Sequence, residues 1–413
     1  MAHARPRPYM TAVTSSPQDQ RAGVARQVLI ALGLATGPVV ALGFTRFAYA
    51  LLLPSMHHTL GWTYAQAGGM NTANAAGYIL GAASAVHWAR RLGDRAAFLW
   101  SLALSALALL ATAAWADFSA LLALRFIGGL ATAVTFVIGS ALVSRVAAGA
   151  PRRRSALPVA VYMAGVGVGV VISGLVVPAA LSAGDDGWRL GWLLMGAAAA
   201  VALLPAWLGA RRVPDSADTQ AAVLARHQLR RLGPTFAWYV LFGAGYVSYM
   251  TFVIALLRTQ GLGASMTALF FVVLGLSSAV TTLVVWSRLA GRLRGGRATA
   301  LVAALVFAGV LPVLLMTPGP FSALLSAVVF GAGFMAGPTA ATLIARRMLP
   351  PTGWTAGIAL LTVAFSVGQA AGPLASGLLS DGEGGIARGL WLSAGLLVIA
   401  ALTALFQREH AAS

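Results

Sequence analysis

Cysteine is absent from the 413 residues, and only ten residues are acidic against 28 that are basic. Without cysteine there are no disulfides, no thiol nucleophile and no thiolate metal ligand. Charge of either sign is scarce: 9% of residues are Asp, Glu, Lys or Arg, where a soluble globular chain carries roughly 25%. The ten acids, Asp19, Asp94, Asp117, Asp185, Asp186, Asp215, Asp218, Asp381, Glu383 and Glu409, all fall in polar breaks or tails. No carboxylate is therefore expected at mid-membrane depth to carry a coupling proton. Histidine is sparse and scattered: His57 and His58 lie near one loop and His87 near the end of an apolar run. A membrane enzyme needs a nucleophile, a metal site or an acid pair within the bilayer boundary. The sequence supplies none, so no enzyme activity, metal or cofactor is expected.

What is present is apolar. Hydrophobic residues make up 59% of the chain, and mean hydropathy is +0.83. Runs such as Val28–Ala41, Phe98–Trp115 and Leu390–Phe406 recur from end to end. Each sits in a segment near the ~20 residues that a helix needs to cross ~30 Å of hydrocarbon. Apolar runs and their polar breaks predict helices over 28–53, 64–88, 96–115, 120–146, 157–181 and 189–209. A second set follows over 235–257, 266–286, 298–316, 321–345, 356–380 and 389–407. The fold class is thus an all-α integral membrane protein of twelve transmembrane helices in two six-helix bundles. The divisions are a 1–26 tail, a 27–209 bundle, a 210–234 linker, a 235–407 bundle and a 408–413 tail. Ala48-Tyr49-Ala50 resembles a leader cleavage site, but the apolar stretch before it is long and Arg46 interrupts it, which reads as an uncleaved first helix.

The net charge of +18 would suggest nucleic acid in a soluble protein, yet its placement says otherwise. All the basic residues are arginine, and they crowd every second loop: Arg90, Arg91 and Arg95; Arg152–Arg154; the 210–234 segment; Arg288, Arg292, Arg294 and Arg297; Arg346 and Arg347. Cationic loops stay cytoplasmic on insertion. Both termini and the linker are therefore expected in the cytoplasm, with the chain in a bacterial inner membrane, functional as a monomer and binding no nucleic acid.

The two sets of helices repeat at a nearly fixed offset. Gly43-Phe44 matches Gly245-Tyr246, and Arg90, Gly93 and Arg95 match Arg292, Gly295 and Arg297, all 202 positions on. Ser119–Leu122 matches Ser322–Leu325, and Gly169, Ser173 and Gly174 match Gly372, Ser376 and Gly377, both at 203. Parallel six-helix repeats with a site between them suit alternating access.

On these residues the chain resembles the major facilitator superfamily. Leu121-x-x-x-Arg125-x-x-Gly128-Gly129 resembles its helix-4 arginine motif, and Gly368-x-x-x-Gly372-Pro373-x-x-Ser376-Gly377 its glycine–proline motif in helix 11. Two departures are visible: Val170 stands where helix 5 would carry that proline, and Arg90 where the family's gating acid is usual. Gly43–Tyr49, Leu53-Pro54 and Asn71-Thr72-Ala73-Asn74 look like the YbfB/YjiJ-type branch. The resemblance implies that helices 1, 4, 7 and 10 line a central cavity. It also implies a gating role for the loop residues Arg90, Arg91, Asp94, Arg95, Arg292 and Arg297.

Charge inside a membrane is costly, so Arg46 and Arg125, at similar depth in helices 1 and 4, are the leading candidates for solute binding. Two guanidiniums would suit a carboxylate or phosphate; snorkelling or bracing of backbone carbonyls is the alternative. Asn71, Asn74 and Tyr78 share a face of helix 2. Tyr246, Ser248, Tyr249 and Thr251 in helix 7 stand where helix 1 has Phe44, Arg46, Phe47 and Tyr49, and Gln369 adds a polar group in helix 11. The Gly165-x-Gly167-x-Gly169 run reads as close helix packing. The expected function is transport of a small organic solute, most simply an anion. Efflux of neutral or cationic compounds is the alternative, and a transport-dead membrane sensor a third.

Overall fold

The computed structural model describes residues 17–62, 64–148, 156–213, 224–380 and 385–408. These residues form helices and short connections. Helix 1 is continuous from Pro17–Pro38 through a π-helical stretch, Val39–Phe47, into Ala48–Leu60. Helices 2 to 6 are Tyr64–Leu92, Asp94–Ala114, Phe118–Ala148, Leu157–Leu181 and Gly187–Ala210. A short helix at Arg226–Arg231 precedes helix 7, Gly233–Thr259. Helix 8 runs through Ala264–Thr281, a π turn at Thr282–Trp286, and Ser287–Arg292. Helix 9 is Arg297–Leu315, helix 10 is Pro320–Phe334 plus Ala336–Met348, helix 11 is Trp354–Ser380 and helix 12 is Gly385–Ala404.

Eleven of these rods are long and apolar enough to span a bilayer. Helix 2 has the length, 29 residues, but Gln66, Asn71, Thr72 and Asn74 lower its hydropathy. It is the most polar member of its bundle, with Asn74 buried and Asn71 and Thr72 exposed.

Several boundaries differ from expectation. Helix begins at Pro17, inside the 1–26 segment expected to be a tail, while residues 1–16 lie outside the described residues. Proline is well suited to a first helical turn, and the Gln, Arg and Ala that follow favour helix. Part of the 210–234 linker is also helical, at Arg226–Arg231, and residues 214–223 lie outside the described set. Helix 12 ends at Ala404, and of the 408–413 tail only Arg408 is described.

The interruptions of helices 1 and 10 have a local cause. Proline lacks an N–H and its ring clashes with the carbonyl four residues earlier. Pro38 immediately precedes the π segment of helix 1, and helix 10 breaks after Phe334, four residues before Pro338. Widened turns of this kind concentrate at functional positions.

Helices 1–6 pack on one another, as do helices 7–12, and the bundles meet through helix 5 on helix 8 and helix 2 on helix 11. Small residues set the spacing. A Cβ on Gly167 would lie 2.5 Å from the Gly275 carbonyl oxygen of helix 8, and one on Gly169 would lie 2.8 Å from Gly43 Cα of helix 1. In the second bundle, a Cβ on Gly372 would lie 2.6 Å from Ala244 Cα of helix 7. The expected close-packing role of the helix-5 glycines is realised, with Gly167 serving the seam between the bundles.

The same end of the molecule holds the arginine-rich turns and the deepest burial. Residues 131–144, 158–167, 333–345 and 353–359 are buried without a break. A helix buried all round lies inside protein, not at lipid or water. Toward the opposite end, Asn71 and Thr72 of helix 2 and several residues of helix 11 beyond Gln369 are exposed. The bundles are therefore sealed at the arginine-rich end.

Candidate solute-binding site

Arg46 sits in the π segment of helix 1, half-buried, and points out of its own bundle. Its Nη1 donates to Gln369 Oε1 of helix 11 at 2.5 Å, a bond that joins the two halves. Tyr246 in helix 7 and Tyr78 in helix 2 lie near the same guanidinium. Next to it, the Phe47 ring meets Phe334 of helix 10 edge-on, with centroids 6.3 Å apart.

Arg125 is placed differently. It is 4% exposed, and its Nη1 donates to the backbone carbonyl of Thr45 at 2.6 Å, one residue before Arg46. Its guanidinium lies 4.4 Å from the Tyr49 ring centroid and 5.7 Å from that of Trp192. Tyr49 and Trp192 are stacked at 6.3 Å. Arg125 Nε and Nη2 have no hydrogen-bond partner among the described residues. Asn74 Nδ2 donates to the Arg125 carbonyl at 3.1 Å. Arg125, Tyr49 and Asn74 thus form a buried brace behind the segment that presents Arg46.

The wall facing Arg46 is aromatic and comes from the second bundle. Tyr246 lies 5.9 Å from Phe365 of helix 11 and 5.6 Å from Phe334. Phe365 in turn lies 4.9 Å from Tyr239.

Three residues singled out from sequence stand apart from this cluster. Asn71 is exposed on helix 2. Ser248 is fully buried, and its Oγ has no partner among the described residues. Tyr249 points into its own bundle: its hydroxyl lies 2.5 Å from Ser326 Oγ, and Ser326 donates to the Gly309 carbonyl. The repeat places Ser248 and Tyr249 at the depth of Arg46 and Phe47, but successive helical residues turn by about 100° and face different neighbours.

At the arginine-rich end Asp94, near the start of helix 3, pairs with Arg145 of helix 4. Arg95 donates to the Val213 carbonyl. Arg90, Arg91, Arg292 and Arg297 are exposed. The sequence reading missed Arg145 and Arg347, although they are a further pair at the 202 offset. Arg347 donates to the carbonyls of Leu293, Ala290 and Gly291 at 2.8, 3.0 and 3.1 Å. No cluster of metal-binding side chains occurs among the described residues.

Two six-helix bundles, a polar group bridging them inside the membrane and a sealed end define a multi-pass carrier of the major facilitator type. The chain belongs to the family described as "Uncharacterised MFS-type transporter YbfB", whose model matches residues 38–405. A chloramphenicol resistance protein of Streptomyces lividans is 31% identical over 379 residues, covering 89% of this chain and 93% of that one. Solved structures share the fold at low identity. The proton:xylose symporter XylE superposes with a TM-score of 0.73 at 15% identity, covering 94% of this chain and 97% of its own. FucP, in the outward conformation, gives 0.67 at 16%, covering 93% and 100%. The human organic anion transporter MFSD10 gives 0.67 at 16%, covering 94% and 100%.

Proposed function

We propose that this transporter moves a small organic anion, held by Arg46 between the two bundles and packed against the Tyr246–Phe334–Phe365 wall. One observation carries the reading: a guanidinium lies between the bundles, and its described contact there is the neutral amide of Gln369. A cation at a helix centre costs roughly 2.5–3.5 kcal/mol on insertion scales, and an anionic solute offsets that cost. The aromatic wall favours a solute with a planar ring. The orientation proposed with it places both termini and the arginine-rich end in the cytoplasm of a bacterial cell.

Thermal shift of the purified protein against benzoate, chloramphenicol and fucose tests this. A ligand that binds the folded state raises its melting temperature. Benzoate should stabilise the parent and lose its effect in Arg46→Ala. Equal stabilisation of parent and variant would overturn the reading.

The kinship with a chloramphenicol resistance protein favours a second reading, export of a neutral aromatic drug. Stabilisation by chloramphenicol that survives Arg46→Ala, with raised drug tolerance in cells expressing the chain, would select it.

A further inference from the structure

We propose that Gln369 is the solute's stand-in: its side-chain oxygen occupies Arg46 in the empty carrier and latches the two bundles until a solute displaces it. The inference rests on the assignment of Arg46 as the solute-binding cation.

The geometry points this way for three reasons. First, the bond runs from helix 1 of one bundle to helix 11 of the other, at 2.5 Å. It therefore spans the surface along which the bundles must move in alternating access. Second, Gln369 is 4% exposed and presents to the guanidinium an oxygen acceptor, the same kind of atom that a carboxylate would present, without the charge. A hydrogen bond to a charged donor in a low-dielectric site is strong enough to hold a conformation. A neutral acceptor is also weak enough to yield to an anion, which adds Coulomb attraction. Third, Arg46 projects from a π turn whose Thr45 carbonyl is pinned by Arg125. The backbone that carries Arg46 is thus held while the partner of its side chain on the other bundle exchanges. An empty carrier must also reorient, and the amide dipole keeps the arginine solvated by protein while it does so.

Because the chain has no cysteine, two can be introduced and spin-labelled without removing others. Ser182→Cys, just past helix 5, and Thr259→Cys, at the end of helix 7, are exposed and lie at the end opposite the arginine-rich one. The distance distribution between them in the ligand-free full chain reads the bundle arrangement. Gln369→Ala should shift or broaden the distribution, Arg46→Ala should produce the same change, and the double variant should add nothing. Gln369→Asn, whose amide is withdrawn by one methylene, should move in the same direction and serves if alanine disrupts folding. Benzoate should shift the parent as Gln369→Ala does, and in a calorimetric titration should bind Gln369→Ala roughly tenfold more tightly than the parent.

Distributions of both single variants that overlay the parent, or effects that sum in the double variant, would overturn the latch. If Arg46→Ala abolishes benzoate binding and Gln369→Ala weakens it, Gln369 is a solute ligand. The latch then falls while the site stands. If benzoate moves nothing but the two single variants shift together, the latch stands and the anionic-solute reading falls.

Discussion

The two halves of the chain share a fold and a repeat, yet they bring different chemistry to the same interface. In the first half, helix 1 widens into a π turn and presents Arg46, and helix 4 supplies Arg125 behind it. At the matching positions the second half has Ser248, 202 residues on, and Val328, 203 residues on. Helix 7 there is regular, and its contribution is aromatic: Trp238, Tyr239, Phe242 and Tyr246 stack along it and continue onto Phe330, Phe334 and Phe365. Charge therefore comes from one bundle and π surface from the other. A solute bridging them would take its polar anchor from the first and its ring contacts from the second. Relative motion of the bundles would then change both contacts at once.

The turns at the sealed end diverge in the same manner. Asp94 pairs with Arg145 in the first half. At the position matching Asp94 the second half has Gly296, and Arg347, the counterpart of Arg145, binds the last carbonyls of helix 8 instead. Cations near a helix C-terminus interact favourably with its dipole, so the arginine keeps a partner after the acid is lost. Gly93 and Gly295 adopt positive φ, 79° and 61°, and keep the turn geometry common to both halves.

The sharpest way to break the comparison is to remove the charge from the first half. Arg46→Ala should lower solute affinity by about 2 kcal/mol, roughly 30-fold, the range for a hydrogen bond to a charged group. Arg46→Lys keeps the charge but loses the planar fork, and should recover only part of this. Isothermal titration of the purified variants checks both. Next in size is Arg125. Arg125→Leu removes the Thr45 carbonyl contact and the cation–π face on Tyr49, and should cost about 2 kcal/mol of stability. Faster amide exchange confined to the Val39–Phe47 stretch would mark it as the brace of that turn; an unchanged exchange pattern would sink the role. Smaller again, Asp94→Asn breaks a half-buried ion pair and should cost about 1 kcal/mol or less. Gly296→Asp should not build the matching pair in the second half, because a Cβ there would run into the Ala404 carbonyl. A melting temperature raised by Gly296→Asp would show that reasoning to be wrong.

Much of this was legible in the sequence because a bilayer leaves few options for the backbone. Apolar runs and their polar breaks located all twelve helices, helix 2 included despite its polar face. Arg46, Tyr246 and Gln369 were legible as rare polar groups within apolar runs. The π turn was not, since hydropathy carries no hydrogen-bond register, although Pro38 marked its start. Nor was the inward aim of Tyr249, which depends on Ser326 and Gly309, far away in sequence. Arg125 was placed at the right depth, but only packing against Tyr49 and Trp192 shows it turned onto the backbone of helix 1.

The smallest expected effect tests whether the second half keeps any trace of the first half's charged site. Ser248 occupies the position of Arg46 in the repeat, is fully buried, and its hydroxyl has no partner among the described residues. A buried hydroxyl left unpaired costs about 1–3 kcal/mol of desolvation, and Ser248→Ala removes that cost while leaving a void of only one oxygen atom. The variant should melt slightly higher than the parent, by about 1–3 °C, with solute affinity unchanged. If Ser248 instead served the solute, its removal would weaken binding with no gain in stability. The two outcomes differ in sign on one axis and in magnitude on the other, so a thermal melt and a titration on the same sample separate them. A loss of affinity would mean that helix 7 turns during transport, bringing the residue that replaces Arg46 into the path that Arg46 serves.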